Sequence, residues 1–278
     1  MTAAGYALLD LGDGARLERF GERLVERPHP AVTGRPHDPD RWAAADLRWD
    51  REHGWLGLAD ARKPWPVTID GVTLELRPTV AGQVGVFPEH AAMVPWLRNQ
   101  VRSAAELPTV LNLFAATGHA TLALAAAGAT VVHVDSSRPT VAWARRNADL
   151  SELSAAPIRW IVDDVRVFAE REVRRGRRYA GILLDPPSYG HGPRSGAWHI
   201  DRDLPILLAT CARLLDDTGF LLLTAHTEAF GGSRLATDLA TALGRSRSAI
   251  ETGRLALTAK DGRRLELGAF ARWSGAAS

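Results

Sequence analysis

Cysteine is almost absent from this chain of 278 residues, and no apolar run is long enough to cross a membrane. With Cys211 as its single cysteine, the chain can form neither an internal disulfide nor a metal site built from several thiolates. A spanning helix needs about 20 consecutive apolar residues, and residues 1–3 do not resemble the start of a signal peptide. We therefore expect a cytoplasmic protein without a membrane partner or a bound metal.

Lysine is scarce as well, because Lys63 and Lys260 are the only lysines among 34 basic residues. The net charge of +2 is weak evidence for a polyanionic partner. The arginines cluster at Arg145, Arg146, Arg171, Arg174, Arg175, Arg177 and Arg178. These clusters either face RNA phosphates or are solvated helix ends, and the sequence leaves both interpretations open.

The segment 109–135, TVLNLFAATGHATLALAAAGATVVHVD, has the pattern of a strand, a turn, a helix and a second strand. Residues 109–114 are a short apolar run, typical of a parallel strand covered on both faces. Residues 115–118 form a tight turn, and Gly128 ends the helix that follows. The second strand ends on Asp135. Ligands of doubly wound sheets lie at the carboxyl ends of the strands, so Asp135 is placed where a ribose offers its hydroxyl groups.

The turn indicates which kind of cofactor is bound. A dinucleotide needs several glycines against its pyrophosphate, whereas this turn has only Gly118. One glycine suits a cofactor that has a ribose but no phosphate, such as S-adenosylmethionine. The alternative is an ordinary α/β repeat in which Gly118 and Asp135 only turn and cap the chain.

Residues 1–80 are expected to form a small β-rich appendage, followed by a cofactor-binding domain at 81–278. Turns at 12–14 and 70–71 predict two hairpins. Four tryptophans lie between those turns: Trp42, Trp49, Trp55 and Trp65. They either form the core of a small domain or stack on unpaired bases.

The segment 79–90 links the appendage to a helix predicted at 89–106. Its residues Phe87, Glu89 and His90 are unusual for a plain linker. A helix N-terminus that carries a carboxylate and an imidazole could engage the amino-acid end of the cofactor.

Strands and helices keep alternating after Asp135. Predicted helices cover 137–150, 165–174, 204–215 and a segment that ends near 243, and predicted strands cover 159–162, 179–184, 220–224, 250–258 and 263–273. The third strand ends in Asp163-Asp164. Cys211 lies on an apolar stretch of the predicted helix 204–215, where a thiol packs in the hydrophobic core. Alternation that finishes in an antiparallel hairpin predicts a doubly wound, mostly parallel α/β sheet with one reversed strand.

The fourth strand leads directly into a second motif: Asp185, Pro186, Pro187, Ser188 and Tyr189. Two prolines fix the backbone, so their carbonyl groups project from a rigid turn. Asp185 and a proline carbonyl can then accept hydrogen bonds from the N–H groups of a planar target on which Tyr189 stacks. An ordinary proline turn is the competing interpretation.

Together these motifs resemble the class I S-adenosylmethionine-dependent methyltransferases. Within that class the chain is most similar, over roughly residues 80–230, to the large-subunit ribosomal RNA methyltransferases that act on cytosine C5 or guanine N7. The resemblance implies a seven-stranded Rossmann-like sheet, S-adenosylmethionine as the cofactor and RNA as the substrate.

The resemblance also assigns cofactor-binding residues. Phe114, Thr117 and Gly118 line the methionine side, Asp135 binds the ribose, and Asp164 with Val165 binds the adenine. Phe87, Glu89 and His90 resemble a family segment that also reaches the cofactor, although the basic residue that usually follows is Ala91 here. The wider set of cofactor-binding residues includes Asn112, Ala116, Ser136 and Asp185.

The chain departs from its cytosine-specific relatives after the fifth strand. Methylation of cytosine C5 needs a cysteine that first adds to C6, and residues 224–227, Thr-Ala-His-Thr, occupy the place of that cysteine. A nitrogen acceptor already has a lone pair, so correct positioning suffices. Asp185 would orient the target, and His226 either takes a proton or is a plain strand-end residue.

Three functions follow, of which the first is preferred. The first is a methyltransferase that acts on a base nitrogen of ribosomal or other structured RNA. The second is a methyltransferase for a small molecule, with residues 1–80 as a lid, and the third is a cofactor-binding module without catalysis. The oligomeric state stays open.

Overall fold

The computed structural model describes residues 5–190 and 196–275. The chain forms two compact units, of which the first comprises Met1–Ala91 and Ala256–Glu266 and the second comprises Ala92–Leu255 and Leu267–Ser278. A domain boundary between residues 80 and 81 stays a prediction. Among the described residues, no helix is long and apolar enough to span a membrane.

The first unit is built on a five-stranded sheet in the order β1-β2-β3-β4-β5. Its elements are β1 (Tyr6–Gly12), β2 (Ala15–Phe20), β3 (Arg23–Pro28), α1 (Pro39–Ala43), β4 (Leu47–Asp50), β5 (Gly54–Gly57), a 3-10 turn (Asp60–Arg62), and the separate hairpin β6 (Trp65–Ile69) and β7 (Val72–Leu76). Both predicted hairpins are present, and Asp13 and Asp70 adopt positive φ beside a glycine, as two-residue hairpin turns require. The predicted β-rich N-terminal region is therefore confirmed.

The tryptophans of the first unit pack inward. Trp42 and Trp65 are buried, and their indole N–H groups donate to Asp10 Oδ2 at 2.7 Å and to the carbonyl of Phe20 at 3.1 Å. Trp55, which is half-buried, donates to the carbonyl of Thr79 at 2.7 Å. These contacts favour the core interpretation over base stacking for these three side chains.

A buried ion cluster crosses the first sheet. Glu18 is fully buried, and its carboxylate accepts from Arg27 Nε at 2.6 Å, from Arg27 Nη2 at 2.8 Å and from the Tyr6 hydroxyl at 2.9 Å. Arg16 Nε lies 3.3 Å from the same carboxylate. Burial alone would raise the pKa of Glu18, but the two guanidinium groups and these hydrogen bonds outweigh it and hold the pKa below its ordinary value.

The second unit holds a seven-stranded sheet in the order β10-β9-β8-β11-β14-β16-β15. Its strands are β8 (Thr109–Leu113), β9 (Thr130–Asp135), β10 (Ile158–Val162), β11 (Tyr179–Leu184), β14 (Leu215–Ala225), β15 (Glu251–Thr258) and β16 (Arg264–Ser274). The first five in the order are parallel, and β16 runs antiparallel to β14. The predicted doubly wound, mostly parallel sheet with a reversed strand is confirmed.

Helices cover both faces of this sheet. They are α2 (Val94–Arg102), α3 (His119–Ala126), α4 (Arg138–Leu150), α5 (Val165–Arg174), α6 (Ile200–Leu214) and α7 (Gly232–Leu243), with 3-10 turns at Pro88–Met93 and Arg247–Ala249 and a short strand pair, β12 (Tyr189–Gly190) and β13 (Trp198–His199). Leu111 and Leu113 pack with α5, α6 and α7, whereas Val110 packs with α2 and α3. This alternation explains why the strand sequences are apolar throughout.

Three predicted boundaries were wrong. The helix expected at 89–106 is a 3-10 turn until Met93 and is α-helical only over Val94–Arg102, with Pro95 in its first turn, where a missing N–H is tolerated. The helix expected from residue 204 begins at Ile200, because Asp203 accepts from the backbone N–H of His199 at 2.8 Å. The strand expected at 220–224 covers Leu215–Ala225.

Replacing Glu18 by glutamine should destabilise the protein by about 3–5 kcal/mol, because the buried Arg27 guanidinium loses its counter-charge. The contribution of the Glu18 carboxylate is fully present above its ordinary pKa of 4.5 and is lost as the pH falls through the lowered native value. Urea unfolding at pH 7 checks the first statement, and a series of measurements from pH 5 downward checks the second. Glu22→Gln, at an exposed turn position, is the control, and a loss below about 1 kcal/mol for Glu18→Gln would contradict the prediction.

Candidate active site

The turn between β8 and α3 is held in an unusual backbone conformation. Phe114, Ala116 and Gly118 have φ values of 56°, 47° and 91°. Non-glycine residues in this region are uncommon and concentrate at functional sites. A Cβ on Gly118 would lie 3.1 Å from Ala144 Cβ, so a side chain there would be crowded by α4 as well as strained by the positive φ.

Asp135 fastens this turn to the neighbouring strand end. Its Oδ2 accepts from the backbone N–H of Ala116 at 3.0 Å, and its Oδ1 accepts from the N–H of Ser137 at 2.9 Å. Burial raises the pKa of Asp135, while the two backbone hydrogen bonds oppose that shift. Ser137 in turn caps α4, and Ser136 lies exposed between the two.

A buried hydrogen-bond chain supports the turn from below. Asn112 Nδ2 donates to Thr121 Oγ1 at 2.9 Å, and that hydroxyl lies 2.9 Å from His133 Nδ1. Asn147 Nδ2 donates to the carbonyl of Thr117 at 2.9 Å. Asn112, which was predicted to bind the cofactor, thus has its amide directed at α3. Burial and the charge of Arg145 lower the pKa of His133 to about 3, so its ring is neutral.

Sequence reasoning missed these supporting residues. A signal for them was present, since Thr121 and His133 are polar residues inside apolar runs. The Thr121 hydroxyl bridges Asn112 Nδ2 and His133 Nδ1. This chain of contacts therefore fixes the spacing between β8, α3 and β9.

Asp164 caps α5 and is paired with an arginine that the sequence analysis did not single out. Its Oδ1 accepts from the backbone N–H and the Nε of Arg166, at 2.8 and 3.2 Å, and its Oδ2 accepts from Arg166 Nη2 at 2.8 Å. Arg166 therefore fixes the orientation of the Asp164 carboxylate. The adjacent Val165 side chain is buried.

The turn after β11 is braced by three contacts. Trp198 Nε1 donates to the carbonyl of Pro187 at 2.7 Å, the Ser188 hydroxyl contacts that of Thr227, and the Ser188 carbonyl accepts from the N–H of Ile200 at 3.1 Å. The Trp198 ring also packs edge-on against Phe114, with 5.0 Å between ring centroids. The two predicted motifs are thus joined through one buried tryptophan.

Tyr189 and Asp185 lie at either end of this turn, with Pro186 directly after Asp185. The Tyr189 side chain is exposed, and its ring stands perpendicular to that of His199 at 4.8 Å. Asp185 Oδ1 lies 2.6 Å from Thr224 Oγ1 and 3.2 Å from His226 Nε2. A carboxylate and an exposed ring therefore border the carboxyl edge of the sheet.

Phe87, Glu89 and His90 belong to the first unit, around the 3-10 turn Pro88–Met93. The rings of Phe87 and His90 lie 5.9 Å apart, and Glu89 is buried, with its charge acting on Arg16 and Arg27. Their role toward the cofactor stays a prediction.

The arginine-rich segment lies at the opposite edge of the second sheet from Asp135 and Asp185. It joins the end of α5 to the start of β11, and the six residues of β11 separate it from Asp185 by about 20 Å. Two of its charges are paired: Arg175 with Glu172, and Arg178 with Asp216 and Asp217. Arg171 lies within α5 and is paired with Asp163, which follows β10 at the same edge as Asp135. This arrangement favours the solvated-end interpretation for those arginines.

Comparison with known proteins identifies the class. The chain is similar to a solved S-adenosylmethionine-dependent methyltransferase from Agrobacterium tumefaciens, with 36% identity, a TM-score of 0.91, and coverage of 99% of this chain and 91% of that one. A solved putative methyltransferase from Streptococcus mutans shares the fold at 17% identity and a TM-score of 0.76, covering 98% and 75% of the two chains. No protein-family profile matches the chain. The chain therefore belongs to the S-adenosylmethionine-dependent methyltransferases, as predicted.

Curated proteins point to a narrower group. The chain is 34% identical over 148 residues to the ribosomal RNA large subunit methyltransferase K/L of Methylococcus capsulatus. This match covers 52% of the chain and 20% of the relative, so the chain corresponds to about a fifth of that protein.

The carboxyl edge of the second unit fits S-adenosylmethionine. Asp135 presents a half-buried carboxylate at the end of β9, and an ionised carboxylate is a strong acceptor for ribose hydroxyl groups. The turn has the single glycine Gly118 and lacks the several glycines of a pyrophosphate-binding loop. We propose that Asp164 and Val165 hold the adenine and that Phe114, Thr117 and Gly118 line the methionine side.

Asp135→Asn should weaken S-adenosylmethionine binding at least about tenfold, because hydrogen bonds to a charged group contribute roughly 1.5–3 kcal/mol. The raised pKa of Asp135 adds a pH test: affinity should fall on acidification at a pH above the 3.8 of an ordinary aspartate. Calorimetry on the purified protein measures both. Glu170→Gln, an exposed carboxylate on α5, is the control; equal affinities for the two variants would remove Asp135 from the site.

Proposed function

We propose that this protein transfers the methyl group of S-adenosylmethionine to a ring or exocyclic nitrogen of a base in ribosomal or other structured RNA. The observation that carries the proposal is the braced turn after β11, which has the Asp185 carboxylate at one end and the exposed ring of Tyr189 at the other. A flipped or unpaired base is recognised by hydrogen bonds to its edge and by stacking on its face. A carboxylate accepts hydrogen bonds from the N–H groups of the base, and an aromatic ring stacks on it. The curated relatives named as ribosomal RNA methyltransferases support the substrate class.

A nitrogen acceptor is supported by the state of the single cysteine. Cys211 is fully buried in α6, and burial raises the pKa of its thiol to about 12. A thiol in that environment is not a nucleophile for C6 of cytosine. The edge of the sheet where Asp185 lies carries Thr224, Ala225 and His226 instead.

The chemistry divides between the cofactor and the chain. S-adenosylmethionine supplies an electrophilic methyl group on a sulfonium. The chain's part is to hold the acceptor in line: Asp185 would accept an N–H of the base, Tyr189 would cover one face of it, and Pro186 and Pro187 keep the turn rigid. Trp198 preserves the spacing between this turn and Phe114, on the cofactor side.

A small molecule is the second candidate acceptor. It is favoured by the pairing of Arg171, Arg175 and Arg178 with acids, which leaves less charge for phosphates than the sequence suggested. Purified protein, tritium-methyl S-adenosylmethionine and total RNA from a strain lacking the gene distinguish the two. Label in ribonuclease-sensitive material, falling steeply with salt, is expected for RNA. No label in RNA, together with transfer to a small-molecule fraction, would favour the second candidate.

Asp185→Ala should lower kcat on RNA at least about 100-fold, as expected when a group that orients the acceptor is lost. The Kd for S-adenosylmethionine should stay within about threefold of the wild-type value. Asp201→Asn, an exposed acid in the first turn of α6, is the control and should retain full activity. A raised cofactor Kd with an unchanged kcat would assign Asp185 to the cofactor instead.

Tyr189→Ala should raise the KM for RNA roughly 5- to 100-fold, because stacking of a base on an aromatic ring contributes about 1–3 kcal/mol. Tyr189→Phe keeps the ring and should behave like the wild type. Steady-state kinetics with a defined RNA fragment measure the difference. If the phenylalanine variant were as impaired as the alanine variant, the hydroxyl rather than the ring face would be the important group.

A further inference from the structure

His226 contacts Asp185 across two adjacent strand ends. β11 and β14 pair in parallel with Leu184 opposite Leu223, so the residues that follow them leave the sheet at the same edge. His226 Nε2 lies 3.2 Å from Asp185 Oδ1, and His226 Nδ1 lies 2.9 Å from the carbonyl oxygen of Leu267. Both ring nitrogens therefore face oxygen atoms within the second unit.

The hydrogen positions follow from the chemistry of these partners. A backbone carbonyl can only accept, so His226 Nδ1 must carry a hydrogen. Asp185 Oδ1 also faces the Thr224 hydroxyl at 2.6 Å, which is shorter than the 3.3 Å from that hydroxyl to the Leu184 carbonyl. Both contacts to Oδ1 are satisfied when Thr224 and His226 Nε2 donate to an ionised carboxylate.

We propose that His226 is a positioning residue that holds the Asp185 carboxylate in the orientation in which it accepts the N–H of the target base. This inference rests on the proposed function of Asp185. Thr224 supplies the second donor to the same oxygen, and the Leu267 carbonyl fixes the plane of the imidazole ring. The His226 and Asp185 side chains are 29% and 28% exposed, so the pair lies at the surface of the site, where an acceptor can reach it.

Two substitutions separate the functions of the two ring nitrogens. Glutamine places an amide nitrogen near the position of Nε2 and keeps a donor for Asp185. Asparagine places its amide nitrogen near Nδ1, so it keeps the contact with the Leu267 carbonyl and loses the donor for Asp185. His226→Ala removes both. Glu228→Gln, an exposed position two residues further on, is the matched control.

For a positioning role, His226→Gln should retain kcat on RNA within about fivefold of the wild type. His226→Asn and His226→Ala should each lose at least about tenfold in kcat, with KM for RNA and the Kd for S-adenosylmethionine within about twofold. If kcat fell equally in all three variants, His226 would act as a proton acceptor. If kcat fell in His226→Gln but was kept in His226→Asn, the important contact would be the one between His226 Nδ1 and the Leu267 carbonyl. Wild-type kinetics in all three would leave it without a role. Each of these three outcomes overturns the proposal.

Nitrogen NMR of the histidine side chains tests the contact without any substrate. In the wild-type protein both His226 nitrogens should carry hydrogen at neutral pH, and the Nε2 resonance should shift in Asp185→Asn. An unprotonated Nε2 would overturn the inference. If both His226 nitrogens carry hydrogen but the wild-type protein transfers no methyl group to RNA, the proposed function is wrong. The hydrogen bond between His226 and Asp185 would still be established.

Discussion

The carboxylate of Asp135 holds together the parts of the second unit on which the candidate site depends. By accepting from the N–H groups of Ala116 and Ser137, it joins the turn after β8 to the start of α4. Two backbone donors that point at one place at the carboxyl edge attract an anionic group. Here the anionic group is the Asp135 carboxylate of the chain itself. The two backbone hydrogen bonds offset the free-energy cost of burying its charge.

The strained turn is stable because the layer beneath it is rigid. Asn112, Thr121 and His133 connect β8, α3 and β9 through buried hydrogen bonds, which are electrostatically stronger in the protein interior than in water. On the other side, Trp198 contacts both Phe114 and the carbonyl of Pro187. The distance between the cofactor side and the acceptor side is therefore set by packed side chains rather than by a loop alone.

Local patterns were sufficient to predict most of the fold. Short apolar strands, two of them ending in Asp135 and Asp185, alternate with helices and predicted a mostly parallel sheet, and Gly128 predicted the end of α3. Pairings between distant residues could not be predicted: no spacing in the sequence indicates that Glu18 and Arg27 form a buried ion pair, or that Trp198 packs against Phe114. Such contacts depend on the register of strands and on side-chain reach, which a single sequence does not specify.

Charge alone does not identify the substrate of this protein. The segment that joins α5 to β11 lies about 20 Å from Asp185 and shares its charges with Glu172, Asp216 and Asp217. A bound RNA would therefore have to be recognised at the site through stacking and N–H contacts, with the paired arginines adding little. A base is therefore favoured as the acceptor by the rigid turn between Asp185 and Tyr189, which carries an oriented carboxylate at one end and an exposed aromatic ring at the other.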